Sequence, residues 1–161
     1  MDSYHSLIIA RVLHVVGVVL WIGGVAFVTT VLIPALRQLP SKQQRMDLFE
    51  SLEGRFGTQA KLVTLITGLS GFYMLDAMDA WNRYQQEGFW WIHMMTLIWA
   101  IFTLVLFVLE PLVLHRWFHQ QAQLNSQRSF LLLHRMHYVL LFISLVAVAG
   151  AIAGVRGWTF I

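Results

Sequence analysis

The sequence predicts an all-α integral membrane protein, a single domain over residues 1–161 built as an up-down four-transmembrane-helix bundle. Two observations lead to this fold class. Of the 161 residues, 58% are hydrophobic and only 12% are charged, whereas a soluble domain carries about 25% charged residues. The apolar residues also form long uncharged stretches with compact connections, as in an up-down bundle within a membrane. Because so few polar residues are available to cover a water-exposed surface, the composition excludes a soluble globular enzyme and a disordered chain.

The four predicted helices lie near residues 7–34, 59–80, 89–117 and 130–156. A spanning helix needs about 20 mostly apolar residues, and the first, third and fourth segments exceed that length. The second is bounded by Lys61 and Asp76, so it is short unless Lys61 extends its ammonium group to the membrane surface. We still predict a span there, because an odd number of spans would place the later loops on implausible sides.

The connection between the first two helices, residues 41–56, predicts a short amphipathic helix on the membrane surface. Ser41 and Gln44 have the spacing of a capping box at its start. An apolar stripe follows at helical spacing, formed by Met46, Phe49, Leu52 and Phe56. Such a helix rests its apolar face on lipid.

The distribution of basic residues predicts the orientation, since Lys and Arg are in excess on the cytoplasmic side. One side receives Arg37, Lys42, Arg45, Arg55, Lys61, Arg116, Arg128 and Arg135, and the N-terminal side receives Arg11, Arg83 and Arg156. Both termini are therefore expected in the periplasm of a bacterium, with the chain a multi-pass protein of the inner membrane. The apolar run after Arg11 is too long for a typical signal peptide, so the first helix is expected to remain as an anchor.

Two counts restrict the partners and the metal chemistry. The net charge is only +3 and its basic residues are scattered, so no nucleic-acid partner is expected. The chain has no Cys, which excludes disulfides, zinc–thiolate sites and iron–sulfur clusters. With seven His and seven Met, any metal ion would be bound by imidazole and thioether groups.

Two histidines inside predicted spans are the leading candidates for metal ligands. His14 lies about two turns into the first helix and His93 about one turn into the third, both from the N-terminal side. These helices are diagonal neighbours in an up-down bundle, and ionisable groups within a membrane are usually functional. The pair predicts bis-imidazole ligation of the iron of a b-type haem.

Neighbouring residues fit a porphyrin beside His14. Gly17 and Trp21 lie one and two turns away on the same face, and the missing side chain of Gly17 would leave room for the macrocycle. Arg11 lies one turn outward, where it would meet a haem propionate. Glycines on the second and fourth helices would leave further space for a porphyrin: Gly68, Gly71, Gly150 and Gly154. Small residues are also the common means by which membrane helices pack closely.

Other polar residues have several interpretations. His137, about two turns from the cytoplasmic side, could hydrogen-bond a ligand, line a quinone or proton path, or bind a second haem. His115 and His119 are predicted to belong to a solvated helix end. Glu110 could pair with a nearby arginine, Arg135 or Arg37, or relay protons. Surface ion pairing with Arg11 or Arg83 is expected for Asp76 and Asp79.

A rival constellation contains methionine. Met74 and Met78 lie one turn apart near the end of the second helix, and His93, Met94 and Met95 open the third on the same side. Thioether and imidazole are soft ligands that suit Cu(I). Methionine is also an ordinary apolar residue of helix cores, so core packing is the alternative.

Residues 11–34, RVLHVVGVVLWIGGVAFVTTVLIP, resemble the first helix of the CopD copper-resistance membrane family and of the HemJ-type haem-biosynthesis proteins. Both families open with an intramembrane His and a Trp-small-Gly segment, here His14, Trp21, Gly23 and Gly24. The HemJ resemblance extends to Trp91 and His93. It implies a four-helix haem-b protein, whereas the CopD resemblance implies a periplasm-facing role in copper uptake or redox chemistry.

The chain departs from the HemJ pattern at two places. HemJ proteins carry a key Lys shortly after the His of the third helix, where this sequence has Met95. The Asn-Glu opening of their last helix is replaced by residues 134–137, HRMH. These departures argue against protoporphyrinogen oxidation.

The sequence therefore predicts a b-type haem protein that transfers electrons between membrane quinol and a periplasmic partner, whether as a carrier or as a quinol-linked oxidoreductase. The protein would position the haem and tune its potential. A CopD-like copper transport or copper-binding protein is the first alternative, with a periplasmic copper-binding protein as its partner. A scaffold subunit of a respiratory complex is the second. The exposed glycines also suit a homodimer within the lipid bilayer.

Overall fold

The computed structural model describes residues 3–158, apart from the side chains of residues 3, 53, 113–127 and 129. Within this part the chain is helical and contains no strand, which confirms the all-α prediction. Five α-helices occur in order: α1 (Ser3–Phe27), α2 (Ile33–Gln38), α3 (Lys42–Ala77), α4 (Trp90–Leu104) and α5 (His115–Val155). Segments of π-helix, Val28–Leu32 and Val105–Leu114, follow α1 and α4, and two short 3-10 turns, Trp81–Gln85 and Glu87–Phe89, precede α4.

Three helical stretches are long and apolar enough to cross a membrane: Tyr4–Gln38, Glu87–Leu112 and Phe130–Val155. They correspond to the first, third and fourth predicted spans. Their exposed residues include many large apolar side chains, such as Val19 and Phe142 at 64% and 70% exposure. An apolar outer surface is what contact with lipid requires, so the fold is compatible with a membrane protein.

The predicted surface helix 41–56 and the predicted second span 59–80 form one uninterrupted helix, α3. It begins where the capping motif places it, because the Ser41 hydroxyl accepts a hydrogen bond from the backbone N–H of Gln44 at 3.4 Å. Gly54 and Gly57 do not interrupt it, since a glycine costs only about 1 kcal/mol in a helix and removes no hydrogen bond. The helix ends before Asp79, whose φ of 48° is outside the helical region.

The second half of α3 has an unusual distribution of side chains. Leu62 and Leu69 are 60% and 67% exposed, whereas Thr67 and Ser70 are buried at 3% and 7%. The two buried hydroxyls donate to backbone carbonyls four residues earlier, at 2.8 and 2.5 Å. The helix therefore satisfies its inward polar groups locally and presents its leucines outward.

Glycines and aromatic rings fix how the helices pack. The Cα of Gly17 on α1 directly faces Thr67 on α3, and Gly24 faces the ring of Phe56. The Trp99 indole occupies the place of a side chain at Gly68, and Trp91 does the same at Gly154. The helix pairs α1–α3 and α4–α5 run antiparallel, and the bulky rings hold these close contacts in register.

The antiparallel packing gives the molecule two ends. At the first, called here the N-terminal end, α1 and α4 begin while α3 and α5 finish, since His14 lies against Gly71 of α3 and Trp90 against Gly150 of α5. Trp21 and Ile98 belong to the core on the side of this end. At the opposite end, called the Arg37 end, a second core contains Leu36, Met46 and Phe130.

Candidate functional site

A cavity of about 170 Å³ lies between the helices in the half nearer the N-terminal end. It is called here the His14 cavity, and its walls come from α1, α3, α4 and α5. Its described lining is almost wholly apolar and contains no carboxylate. The residues important for its chemistry are His14, Trp21, Met74, Met78, Met95 and Trp99.

The imidazole of His14 is held in one orientation. Its Nδ1 atom lies 2.8 Å from the carbonyl oxygen of Thr67, and the Ser70 hydroxyl is 3.5 Å from the same nitrogen. Because a carbonyl oxygen only accepts, Nδ1 carries the proton and donates, and Nε2 of the neutral ring keeps its lone pair. Nε2 makes no hydrogen bond to any described residue. This is the arrangement found in metal-binding histidines, whose second nitrogen is fixed by a backbone carbonyl or a carboxylate.

The His14 cavity brings three methionines together with this imidazole. Met74 belongs to the last turn of α3, Met78 follows its end, and Met95 lies on α4, and all three line the cavity. Met94 lines no part of it and packs against the core around Trp21 instead. The cavity thus combines one imidazole with three thioethers, the soft ligand types of the rival constellation.

His93 is not part of the His14 cavity. It is exposed, its ring lies 5.2 Å from that of Tyr84, and it lines a surface depression with Glu87 and Trp90. The α4 residues that do line the cavity are Ile92, Met95, Thr96 and Trp99. Successive helix residues are rotated by about 100°, so His93 points away from the direction of Ile92. The structure does not bring the two predicted iron ligands together.

The other predicted haem contacts have different surroundings. Gly17 is buried against Thr67 and does not line the cavity. Trp21 is 7% exposed, packs edge-to-face on Phe102 at 4.9 Å, and has an indole N–H without a hydrogen-bond partner among the described residues. Arg11 is exposed and does not line the cavity. Only Trp21 among these three shares a cavity with His14.

The glycines predicted to make room for a porphyrin are already occupied by rings. Trp99 fills the space at Gly68, Trp90 that at Gly150, and Trp91 that at Gly154, and a Cβ at Gly71 would lie 3.0 Å from the His14 ring. The cavity of about 170 Å³ is also smaller than the ~300–1,000 Å³ usual for sites that enclose an organic ligand. In this arrangement the cavity offers one imidazole and too little space, so it does not fit a bis-imidazole haem.

A second cavity of about 260 Å³ lies on the other side of Trp21. His137 lines it, with Nδ1 donating to the Leu133 carbonyl oxygen at 2.9 Å. Glu110 lines it too and forms an ion pair with Lys61 at 3.2 Å, a partner that differs from the two arginines, Arg135 and Arg37, that the sequence left open. His137 does not line the His14 cavity, so the two imidazoles belong to separate sites.

Acidic residues and the remaining histidines add no further metal centre to the described part of the chain. No group of three His, Asp or Glu side chains gathers there in a way that would hold a metal ion. Asp76 accepts from the Trp81 indole at 3.4 Å instead of pairing with Arg11 or Arg83. The side chains of His115 and His119 lie outside the described residues.

Sequence reasoning missed the contacts of His134. Its Nε2 donates to the carbonyl oxygen of Thr29 at 2.8 Å, and its Nδ1 lies 3.4 Å from a guanidinium nitrogen of Arg37. Arg37 and His134 are 97 residues apart, so no local spacing could have indicated the contact. The only available signal was an imidazole within the first turns of an apolar segment.

Comparisons with known proteins identify no relative. No protein-family model matches the chain, and neither a curated protein nor a solved structure is similar to it. The chemistry of the cavities is therefore the basis for assigning a function.

Proposed function

We propose that the protein is a multi-pass membrane protein that binds Cu(I) in the His14 cavity and delivers it at the N-terminal side of the membrane. The ligands are Nε2 of His14 and the thioether sulfurs of Met74, Met78 and Met95. One observation carries the proposal: an imidazole anchored through Nδ1 shares a cavity with three thioethers.

The ligand set favours Cu(I) over other ions. Soft thioethers prefer Cu(I), whereas Mg²⁺, Ca²⁺ and Mn²⁺ prefer carboxylate and carbonyl oxygen. No carboxylate occurs among the described residues that line the cavity, so the proposed ligands do not neutralise the charge of a bound ion. A single positive charge costs less to hold in an apolar interior than a double one.

The proposal includes an up-down bundle of four spans in a bacterial inner membrane. The second half of α3 serves as the remaining span, because its outward leucines suit lipid and it is uncharged between Lys61 and Asp76. Lys61 is neutralised by Glu110 at 3.2 Å, which lowers the cost of its position at the membrane boundary. With the basic side cytoplasmic, both termini and the His14 cavity lie toward the periplasm, where a copper-binding protein would be the partner.

The second candidate is the b-type haem protein that carries electrons from quinol to a periplasmic partner. One observation favours it: each of the two cavities contains an imidazole, His14 or His137, whose Nδ1 is fixed by a backbone carbonyl. Haem would supply the electron transfer when bound, and the helices would have to separate to admit it.

Titration of the purified protein with Cu(I) under reducing, anaerobic conditions tests the proposal. We expect one equivalent to bind in competition with a chromogenic chelator. His14→Ala should weaken binding at least about tenfold, a loss of about 1.4 kcal/mol of binding free energy, because it removes the imidazole ligand. The triple variant Met74→Leu/Met78→Leu/Met95→Leu should weaken it further, while folding as the wild type does because Met and Leu have similar volumes.

A matched control changes three methionines that do not line the His14 cavity, Met46, Met94 and Met136, to Leu. It should bind Cu(I) as the wild type does. Equal binding by both triple variants would contradict the proposal. A purified protein with b-type haem absorption that is lost in His14→Ala would support the second candidate instead.

A further inference from the structure

Three arginines from three different helices line one pocket at the Arg37 end of the molecule. Arg37 comes from α2, Arg45 from α3 and Arg128 from α5, and the pocket has a volume of about 680 Å³. Its other lining residues are Pro34, Gln38, Phe130 and Leu131. Among the described residues, the lining therefore combines three arginines with an apolar wall and contains no acidic side chain.

Hydrogen bonds hold Arg37 and Arg45 in place before any ligand binds. Arg45 donates from Nη1 to the Leu39 carbonyl oxygen at 3.0 Å. Arg37 lies with Nη1 3.4 Å from Nδ1 of His134. Because His134 donates from Nε2 to the Thr29 carbonyl, its Nδ1 is the accepting nitrogen, and the Arg37 guanidinium is the donor.

One buried donor at this pocket has no partner. Nε of Arg45 is buried and makes no hydrogen bond to any described residue. A buried charged donor left unpaired costs more than a neutral one, and an anion in the pocket beside Arg45 would lower that cost by charge attraction. Guanidinium groups bind phosphate oxygens through paired N–H donors, and phosphate chemistry therefore fits this pocket.

The position of the pocket indicates the source of the phosphate. Arg37 is the penultimate residue of the apolar stretch Tyr4–Gln38. Arg128 lies two residues before the apolar stretch Phe130–Val155 begins. Both arginines are thus at the level where a membrane-spanning helix leaves the hydrocarbon core and meets phospholipid headgroups. Basic pockets between helices at this level bind anionic headgroups. Phe130 and Leu131 provide apolar contacts for the adjoining acyl chains.

We propose that the pocket formed by Arg37, Arg45 and Arg128 binds the phosphate group of an anionic phospholipid. The three guanidinium groups bind the phosphate oxygens, and the apolar wall contacts the glycerol and first acyl carbons. This site lies at the opposite end from the His14 cavity and does not depend on the proposed copper function.

Thermal unfolding of the full-length protein in detergent tests the lipid site. Phosphatidylglycerol, phosphatidylcholine and inorganic phosphate are titrated separately, and the concentration giving half of the stabilisation is measured. We expect phosphatidylglycerol to stabilise the wild type at a concentration at least about tenfold below that of phosphatidylcholine, since hydrogen bonds between guanidinium groups and an anionic headgroup are stronger than those between neutral groups.

The variant Arg37→Gln/Arg45→Gln/Arg128→Gln should lose this preference for phosphatidylglycerol. A control with the same change in net charge, Arg55→Gln/Arg135→Gln/Arg156→Gln, replaces exposed arginines outside the pocket and should keep it. The double variant Arg37→Gln/Arg128→Gln retains the Arg45–Leu39 hydrogen bond. It should fold normally and require at least about tenfold more phosphatidylglycerol.

The three titrations distinguish a phospholipid headgroup from a soluble phosphate ligand. A preference for phosphatidylglycerol that both arginine variants lose and the control keeps supports the proposal. Equal effects of the two lipids on the wild type, or an unchanged preference in the double variant, would overturn it. Stabilisation by inorganic phosphate alone, lost in the same variants, would overturn the assignment to lipid and identify a soluble phosphate ligand.

Discussion

At the scale of single residues, the orientation of the His14 ring determines what the cavity can bind. The ring is wedged between α1 and α3, with Nδ1 on the Thr67 carbonyl and its Cε1 edge against Gly71. That leaves Nε2 as the one nitrogen of His14 with an unshared pair of electrons. Both the hydrogen bond and the absent side chain at residue 71 are therefore needed for this ligand geometry.

Gly71→Ala should weaken Cu(I) binding while leaving the fold intact. The new Cβ would lie 3.0 Å from Cε1 and 3.2 Å from Nδ1 of His14, so the ring must shift and lengthen its bond to Thr67. A displaced ligand should reduce affinity about tenfold, the lower end of the effects seen when second-sphere contacts of metal ligands are removed. Competition with a Cu(I) chelator measures the change.

Gly23→Ala is the control for that substitution, because a Cβ at residue 23 has nothing within 4 Å. It should bind Cu(I) as the wild type does. If Gly71→Ala and Gly23→Ala bind equally well, the His14 ring is not positioned by Gly71 in the way described.

The rotation of His93 shows what the sequence could not predict at this scale. Counting residues from the ends of the apolar segments indicates how deep His14 and His93 lie. Depth does not show how α4 is rotated about its own axis. That rotation can be predicted only when the helix has distinct polar and apolar faces. The start of α4 is apolar nearly all round, so its sequence gives little indication that Met95 and not His93 lines the cavity.

At the scale of helices, large rings placed against glycines of the neighbouring helix determine the packing. The contacts of Trp99 with Gly68, Trp90 with Gly150 and Trp91 with Gly154 join α4 to α3 and α5. The same glycines had been predicted to leave space for a porphyrin. The sequence shows where a glycine leaves a helix without a side chain. It does not show which ring packs there, because that ring belongs to another helix.

Gly154→Ala should destabilise the packing of α5 on α4. The added Cβ would overlap the Trp91 indole, and overpacking of a well-packed contact costs ~1–3 kcal/mol. We expect a lower unfolding temperature in detergent than for the wild type, measured by the loss of helical circular dichroism. Gly54→Ala, at a residue with nothing within 4 Å of the new Cβ, should not lower it. An unchanged unfolding temperature in Gly154→Ala would contradict this account of the helix contact.

The continuity of α3 also differs from the helix boundaries predicted from the sequence. The cap at Ser41 was predicted and is observed, but the predicted break near residues 57–58 does not exist. The sequence indicated two helices because its charge content changes there, from a charged first half to an apolar second half. Backbone hydrogen bonding continues across such a change as long as no proline removes a donor, and α3 contains none.

At the scale of the whole molecule, the proposed topology has both ends of the chain on one side of a membrane. This arrangement requires α3 to cross the bilayer as well as the three more apolar stretches. The absence of Cys from the chain allows each position to be probed by a single introduced thiol. Gln44, Leu69 and Asn82 are exposed residues before, within and after the second half of α3.

Single-cysteine labelling of oriented membrane vesicles should distinguish the topologies. Gln44→Cys should react with a membrane-impermeant maleimide only from the cytoplasmic side and Asn82→Cys only from the periplasmic side. Leu69→Cys should be protected from both, because lipid covers the outward face of α3. Reaction of Gln44→Cys and Asn82→Cys from the same side would mean that α3 does not cross, and would leave three spans.

X-ray absorption at the copper edge can show whether a bound Cu(I) ion has one imidazole and three thioethers as its neighbours. The protein is loaded with one equivalent of Cu(I), and scattering by sulfur is compared with scattering by nitrogen. We predict sulfur and nitrogen neighbours in the wild type, and loss of the sulfur contribution in Met74→Leu/Met78→Leu/Met95→Leu. A wild-type spectrum without sulfur neighbours, or sulfur scattering that persists in the triple variant, would contradict the account.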